Sequence, residues 1–425
     1  VPTIADDLVG PPYGPISFAD SIALPTVQKD LHAAYAASPP AIASPDGFVL
    51  KDGSAGYSSV RAADAVTLAK VEALERVTNF QWDPGDLLMA APLDLGARAV
   101  DVARLPRHSA REVADGAPGA PDVRSMVRWV RATELTSRRE MLVPAVCVFL
   151  GLEEWRGERF WAQISTGTAA HQSDDLAVLS GLLEVIERDV IEIFWEQRLP
   201  LRRLHPTALT AWATQIQDDL AHGGIKLRLF DGTSEFGAPT IVGLIIDDAS
   251  RKAARLIGCG TAATVSHALT KCIRELLNMY ELIRMAKEEP PATIEDCGEE
   301  LSDTSKFMAL WPQRHAFDFL TDALSDRPLS QPSDLPGDGA AEQLAHLVVE
   351  FEARSMQIFA TSLSNSMTHA VGLRVAHVFC PDLQPMIPWV GPRYRGHRRL
   401  YEAPAVWGYP VRPEGDLNPY PLPFA

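Results

Sequence analysis

Cysteine is scarce: Cys147, Cys259, Cys272, Cys297 and Cys380 are the five in 425 residues. They form no C-x-x-C and have no His at ligand spacing, so neither a disulfide framework nor a zinc site is expected. Basic charge is short as well, with 39 Lys and Arg against 55 Asp and Glu and a formal net charge of -16. A polyanion surface needs a basic footprint, so nucleic acid and acidic membranes are not expected partners. A bound nucleotide stays possible, because a metal-bridged phosphate needs only local charge. No uncharged apolar run reaches membrane-spanning length, and VPTIADDLVGPPYGPISFAD lacks the basic and apolar regions of a signal peptide. A cytoplasmic location is the expectation. Gly-Lys never occurs, which removes the P-loop G-x-x-x-x-G-K-[ST].

What is present is ordinary globular material, 46% hydrophobic and 22% charged. Residues 1–50, rich in Pro, Ala and Asp, are expected to form an irregular arm. Residues 51–390 read as the main domain and 391–425 as a Pro- and aromatic-rich tail. Apolar spacing predicts helices over 62–80, 174–197, 208–221, 266–287 and 343–354. Strands are expected over 141–150, 159–164, 225–230, 240–246, 255–258, 357–362 and 374–379, and the polar segment 288–339 reads as a loop or insertion. The mixed order implies an α/β or α+β fold. LIGCGTAA at 256–263 imitates a dinucleotide fingerprint, but its helix runs into KEEPPATIEDCGEE rather than a second parallel strand.

The informative feature is a repetition. Glu72-Ala73-Leu74-Glu75-Arg76 and Glu184-Val185-Ile186-Glu187-Arg188 are both E-x-x-E-R inside helices that are otherwise largely apolar. A third helix carries Lys271, Glu275 and Asn278 on one stripe. One such pattern is ordinarily a solvated face with local ion pairs. Two of them, with a third polar stripe, favour convergence on a cavity, where carboxylates repel unless they share cations. Hard oxygen ligands of this kind suit Mg2+ bridging nucleotide phosphates, whereas zinc would want His or Cys.

Together these residues resemble the YcaO family, whose members bind ATP without a P-loop and activate peptide-bond amides. The resemblance runs from about residue 56 to the C-terminus. AADAVTLAKVEALER is similar to the family's first ATP-site helix, STGTAAHQSDDLAVLSGLLEVIERD to its second with the lead-in, and GCGTAATVSHALTKCIREL to its third. It implies Glu72, Glu75, Glu184, Glu187 and Glu275 as Mg2+ ligands. It adds Arg76, Ser165, Gly167, Ser180, Lys271 and Asn278 as contacts to ATP. Leu68, His171 and Lys271 depart from the family's small polar residue, Gly and Arg.

The ending NPYPLPFA matches the P-x-P-x-P tail of azoline-forming members, which reaches the active site. Pro419, Pro421, Pro423 and the Ala425 carboxylate are therefore implied as catalytic, the last as proton acceptor. The activity implied is ATP-dependent cyclodehydration of Cys, Ser or Thr in a ribosomal precursor peptide, giving thiazolines or oxazolines. Thioamide formation, or a non-catalytic ATP-binding scaffold, are the alternatives. No fused leader-binding domain is expected, so a ThiF-like partner and a flavin-dependent azoline dehydrogenase are implied. Trp389, Tyr394, Tyr401 and Trp407 serve either peptide or partner stacking or plain packing.

Overall fold

The computed structural model describes residues 16–22, 32–37, 42–48, 50, 53–58, 61–153, 155–298, 302–322, 328–388 and 390–424. The chain forms two compact units. The first holds the described residues up to Val185 together with Pro336–Leu383; the second holds Ile186–Leu335 and the described residues from Gln384 on.

In the first unit, strands β1 (Phe18–Ile22), β2 (His32–Ala37) and β3 (Gly53–Ser58) make an antiparallel sheet against helix α1 (Ala62–Phe80). These strands correct the irregular arm expected over 1–50. β2 buries only alanines, Ala33, Ala34 and Ala36, so it carries none of the bulky β-branched signal by which a strand is read. A second antiparallel sheet has the order β4 (Leu88–Ala90), β5 (Val127–Glu134), β12 (Phe359–Ser362), β13 (Arg374–Phe379), β7 (Thr168–His171), with β6 (Arg139–Pro144) also paired to β5.

The strand expected over 141–150 ends at Pro144, which has no N–H for a ladder, and the chain turns through Ala145–Cys147. The strand expected over 159–164 is also absent. Glu158 anchors that segment by accepting from the Arg128 amide at 2.6 Å and pairing with its guanidinium at 2.6 Å. The ladder partner of β13 is β7 instead.

The second unit is built on an antiparallel sheet ordered β11 (Arg255–Thr261), β10 (Thr240–Ile246), β9 (Lys226–Asp231), β8 (Arg202–Arg203). Every residue of β10 is buried, as its unbroken apolar sequence TIVGLII requires. Helices of eight residues or more continue from α1 as α2 (Asp174–Glu196), α3 (Ala211–His222), α4 (Val265–Met285), α5 (Ala340–Ala353) and α6 (Arg399–Val406). α4 starts on Thr264, whose hydroxyl accepts from the His267 amide, and buries Leu269, Cys272, Ile273, Leu276 and Tyr280 along one stripe.

The glycines of LIGCGTAA serve that packing. A Cβ on Gly260 would lie 2.5 Å from the Ala268 carbonyl oxygen, so glycine lets α4 sit directly on β11. β10 and β11 are antiparallel neighbours, which is incompatible with a dinucleotide βαβ unit. The loop expected over 288–339 is also corrected. It contains a helix, Asp303–Ala309, and a helical stretch from Trp311 to Thr321, and it buries Met308, Phe317 and Leu320. The fold is thus mixed α+β, and all ladders between these strands are antiparallel.

Candidate nucleotide and metal site

The first E-x-x-E-R motif lies in the middle of α1. Arg76 Nη2 pairs with Glu72 Oε1 at 2.9 Å, one turn along the helix. Glu75 accepts the Ala170 amide at 2.6 Å, which ties α1 to β7. Burial raises the Glu75 carboxyl well above its ordinary range, and the charges of Glu72 and Glu184 push the same way, against the Ala170 amide and Arg76. Glu184, on α2 in the same unit, accepts the Gly167 amide at 3.0 Å.

Gly167 stands at φ +95, and a Cβ there would lie 2.1 Å from the Val378 carbonyl oxygen. A Cβ on Gly181 would in turn lie 2.4 Å from the Gly167 carbonyl oxygen. Two glycines are therefore what brings the 165–167 loop against α2 and aims an amide at Glu184.

Behind Glu75 runs a buried polar chain. Asn79 Nδ2 donates to Thr168 Oγ1 at 2.7 Å, Thr168 Oγ1 meets His377 Nδ1 at 2.9 Å, and His377 Nε2 meets the Cys147 carbonyl oxygen at 2.9 Å. Burial lowers His377 to about 4. The neutral ring then accepts from Thr168 and donates to Cys147.

The second unit holds the rest of the predicted residues. Its boundary with the first falls inside α2, between Val185 and Ile186. Glu187, 1% exposed, accepts the Thr261 amide at 2.5 Å and pairs with Lys271 Nζ of α4 at 2.9 Å. Glu187, Arg188, Arg255 and Glu275 line a cleft together with Pro423 and Phe424 of the C-terminal tail. The buried Cys259 and Cys272 beside it are pushed well above ordinary thiol values, first by burial and then by neighbouring carboxylates. Both are therefore thiols near neutral pH, which leaves no thiolate nucleophile in this cluster.

The remaining predicted residues are placed as follows. Ser165 and Ser180 are half-buried in the first unit. Asn278 is not brought to the cleft: it is fully enclosed, its Nδ2 donates to the Arg274 carbonyl on its own helix, and its Oδ1 has no partner. Leu68 is 43% exposed, and burial lowers the half-buried His171. Ala425 and Trp389 lie outside the described residues.

What sequence reasoning missed are partners far away along the chain. Asp189, the residue after the second motif, is ion-paired to Arg399 at 2.7 Å, and Arg399 also pairs with Glu235 at 2.5 Å. Glu196, at the end of α2, pairs with Arg393 and with Arg395. No local spacing announces such pairs.

Among the described residues no three His, Cys, Asp or Glu side chains converge closely enough to hold a metal ion, and no helix is long and apolar enough to cross a membrane. The carboxylates nonetheless fit Mg2+. Their donors are hard oxygens, and the charges of Glu72 and Glu184 add to burial in raising the Glu75 carboxyl, an effect that a bound cation would offset. Mg2+ seldom takes an all-protein cage and keeps waters and phosphate oxygens in its shell.

The fold and these clusters define a class: an antiparallel α+β protein with glutamates presented from three helices. Residues 58–384 match the family model described as YcaO cyclodehydratase, ATP- and Mg2+-binding, and the chain belongs to the YcaO family. Among solved structures it resembles a heterocyclase in complex with substrate and cofactor (TM-score 0.79, 20% identity, 98% of this chain and 56% of that one). It also resembles YcaO from Methanopyrus kandleri bound with AMPPCP and Mg2+ (TM-score 0.60, 17% identity, 87% and 86%). An uncharacterized protein of Methanothermobacter thermautotrophicus (strain Delta H) is 27% identical over 162 residues, 37% of this chain and 42% of that protein. The chain thus spans about half the length of the first heterocyclase and less than half of that relative.

Proposed function

We propose that the chain is an ATP-dependent cyclodehydratase acting on a ribosomal precursor peptide. A Cys thiol, or a Ser or Thr hydroxyl, attacks the preceding amide carbonyl. The resulting oxyanion takes the γ-phosphoryl group of ATP, ADP departs, and loss of phosphate with the amide proton leaves a thiazoline or oxazoline. Such transfer depends mainly on positioning and charge neutralisation.

Mg2+ would neutralise phosphate charge; Glu72, Glu75 and Glu184 are its candidate ligands in the first unit, and Glu187 and Glu275 are separate candidates in the second. The amides of Ala170, Gly167 and Thr261 fix Glu75, Glu184 and Glu187 respectively, so these carboxylates are oriented before nucleotide arrives. Lys271, paired with Glu187 at 2.9 Å, would act as a second cation toward the phosphates. A ThiF-like partner presenting the peptide, and a flavin-dependent dehydrogenase acting on the product, complete the reading.

The observation that carries it is the tail. Pro423 and Phe424 line the cleft that contains Glu187 and Glu275, which supports reading the Pro-alternating tail as part of the site. This favours ring formation over thioamidation. The test is incubation with Mg-ATP, candidate partners and a Cys- and Ser-rich precursor peptide, followed by mass spectrometry. Loss of one water per ring is expected; exchange of oxygen for sulfur would overturn the reading in favour of thioamidation. Glu184→Gln with Glu187→Gln should abolish Mg-ATP binding, and unchanged binding would sink the metal assignment.

A further inference from the structure

The last turn of α2 and the tail form a buried network that the reaction as described does not use. Glu196, 0% exposed, pairs through one carboxylate oxygen with Arg393 and through the other with Arg395 Nε at 2.8 Å. Each arginine then turns to a tail carbonyl: Arg393 Nη2 to Tyr420 O at 2.7 Å, and Arg395 Nη2 to Asn418 O at 3.0 Å. Asn418, also 0% exposed, completes the join. Its amide donates to Glu196 O at 2.8 Å, its Nδ2 donates to Trp195 O at 3.1 Å, and its Oδ1 accepts from Tyr420 N at 3.2 Å.

The charge of the network explains its hold on the tail. Glu192, one turn earlier on α2 and 0% exposed, is pushed up to about 8, first by burial and then by Glu196, with Arg393, Arg395 and the Ile387 amide opposing. Glu196 is the carboxylate that faces both guanidiniums, and each guanidinium also donates to a tail carbonyl. Removing the tail would take those two carbonyl acceptors away, at the cost of two charge-assisted hydrogen bonds. Six residues beyond Asn418 and four beyond Tyr420, Phe424 packs edge-on to Phe194 at 6.1 Å and lines the cleft.

We propose that Glu196, acting through Arg393 and Arg395, is a positioning residue that sets how deep Pro423 and Phe424 enter the cleft beside Glu187 and Glu275. This rests on the cyclodehydratase reading for its kinetic consequence, and on the hydrogen bonds alone for its structural one. Because Glu196→Gln leaves buried guanidiniums uncompensated and threatens folding, the milder variants Arg395→Met and Asn418→Ala carry the test.

The full chain is treated with carboxypeptidase and its C-terminus followed by mass spectrometry, without nucleotide or peptide. Each variant is expected to lose tail residues roughly 10-fold faster than the parent, since tail opening is governed by local stability. In ring formation kcat should fall roughly 10-fold while KM for ATP moves less than about 2-fold.

Unchanged trimming would overturn the proposal. So would a loss of kcat matched by an equal rise in KM for ATP, which would mark the network as general support. Faster trimming of the variants, with a parent protein that forms no azoline, would uphold the positioning and overturn the cyclodehydratase reading.

Discussion

Glu75 and Glu187 occupy the same place in the same motif, the second Glu of E-x-x-E-R, yet the fold treats them differently. Both accept a backbone amide from a neighbouring segment, Ala170 for one and Thr261 for the other. Glu187 also receives Lys271 from α4, whereas carboxylates of Glu72 and Glu184 crowd Glu75 and its carboxyl is raised. A repeated motif therefore specifies a carboxylate on a helix face. The charge state it is held in comes from whatever packs against that face.

Five substitutions or conditions break or sharpen this contrast. The largest effect is expected from Gly167→Ala, which adds a Cβ 2.1 Å from Val378 O at a positive φ and disturbs the amide that holds Glu184. Strain and overpacking together should cost roughly 4 kcal/mol in urea unfolding. A loss below about 1 kcal/mol would show the loop is not pinned there. Lys271→Met comes next. It leaves Glu187 buried without its cation and should cost about 3 kcal/mol, the low end for a buried pair because Lys271 is 36% exposed.

The acid response belongs to the Glu75 half. His377 has a folded-state value of about 4 against 6.5 unfolded, so the unfolded chain binds more protons between those values. The stability this neutral ring contributes is present above pH 6.5 and is lost as pH falls toward 4, up to about 3 kcal/mol in total. The parent should show that added slope and His377→Gln should not; equal slopes would refute the assignment.

The smallest effect has the opposite sign. Glu75→Gln keeps an oxygen for the Ala170 amide and removes one of the crowded charges. Without nucleotide it should stabilise the protein by about 1 kcal/mol, and it should weaken Mg-ATP binding. Glu187→Gln should instead destabilise, since Lys271 loses its partner. Equal signs at the two positions would erase the contrast.

Much of this was legible in the sequence, because its signals are local. The helices of both motifs, the third charged stripe and the unbroken apolar β10 follow from spacing alone. β2 was not legible, since buried alanines carry little strand signal, and neither was the turn at 159–164, whose anchor Arg128 lies thirty residues upstream. The glycines of LIGCGTAA were rightly refused as a dinucleotide loop, but their use, letting α4 touch β11, needs the packed pair to be seen.

The sequence by itself determined which helices carry acidic residues and that residues 419–423 form a stiff, Pro-alternating segment. Periodicity and fixed backbone angles are properties of neighbouring residues. Tertiary structure decided the rest: that Glu187 has a cation and Glu75 has carboxylates, and that the tail is tied to α2 through Glu196, Arg393 and Arg395. Burial, desolvation and charge pairing depend on groups brought together from some two hundred residues apart, and no spacing along the chain encodes that proximity.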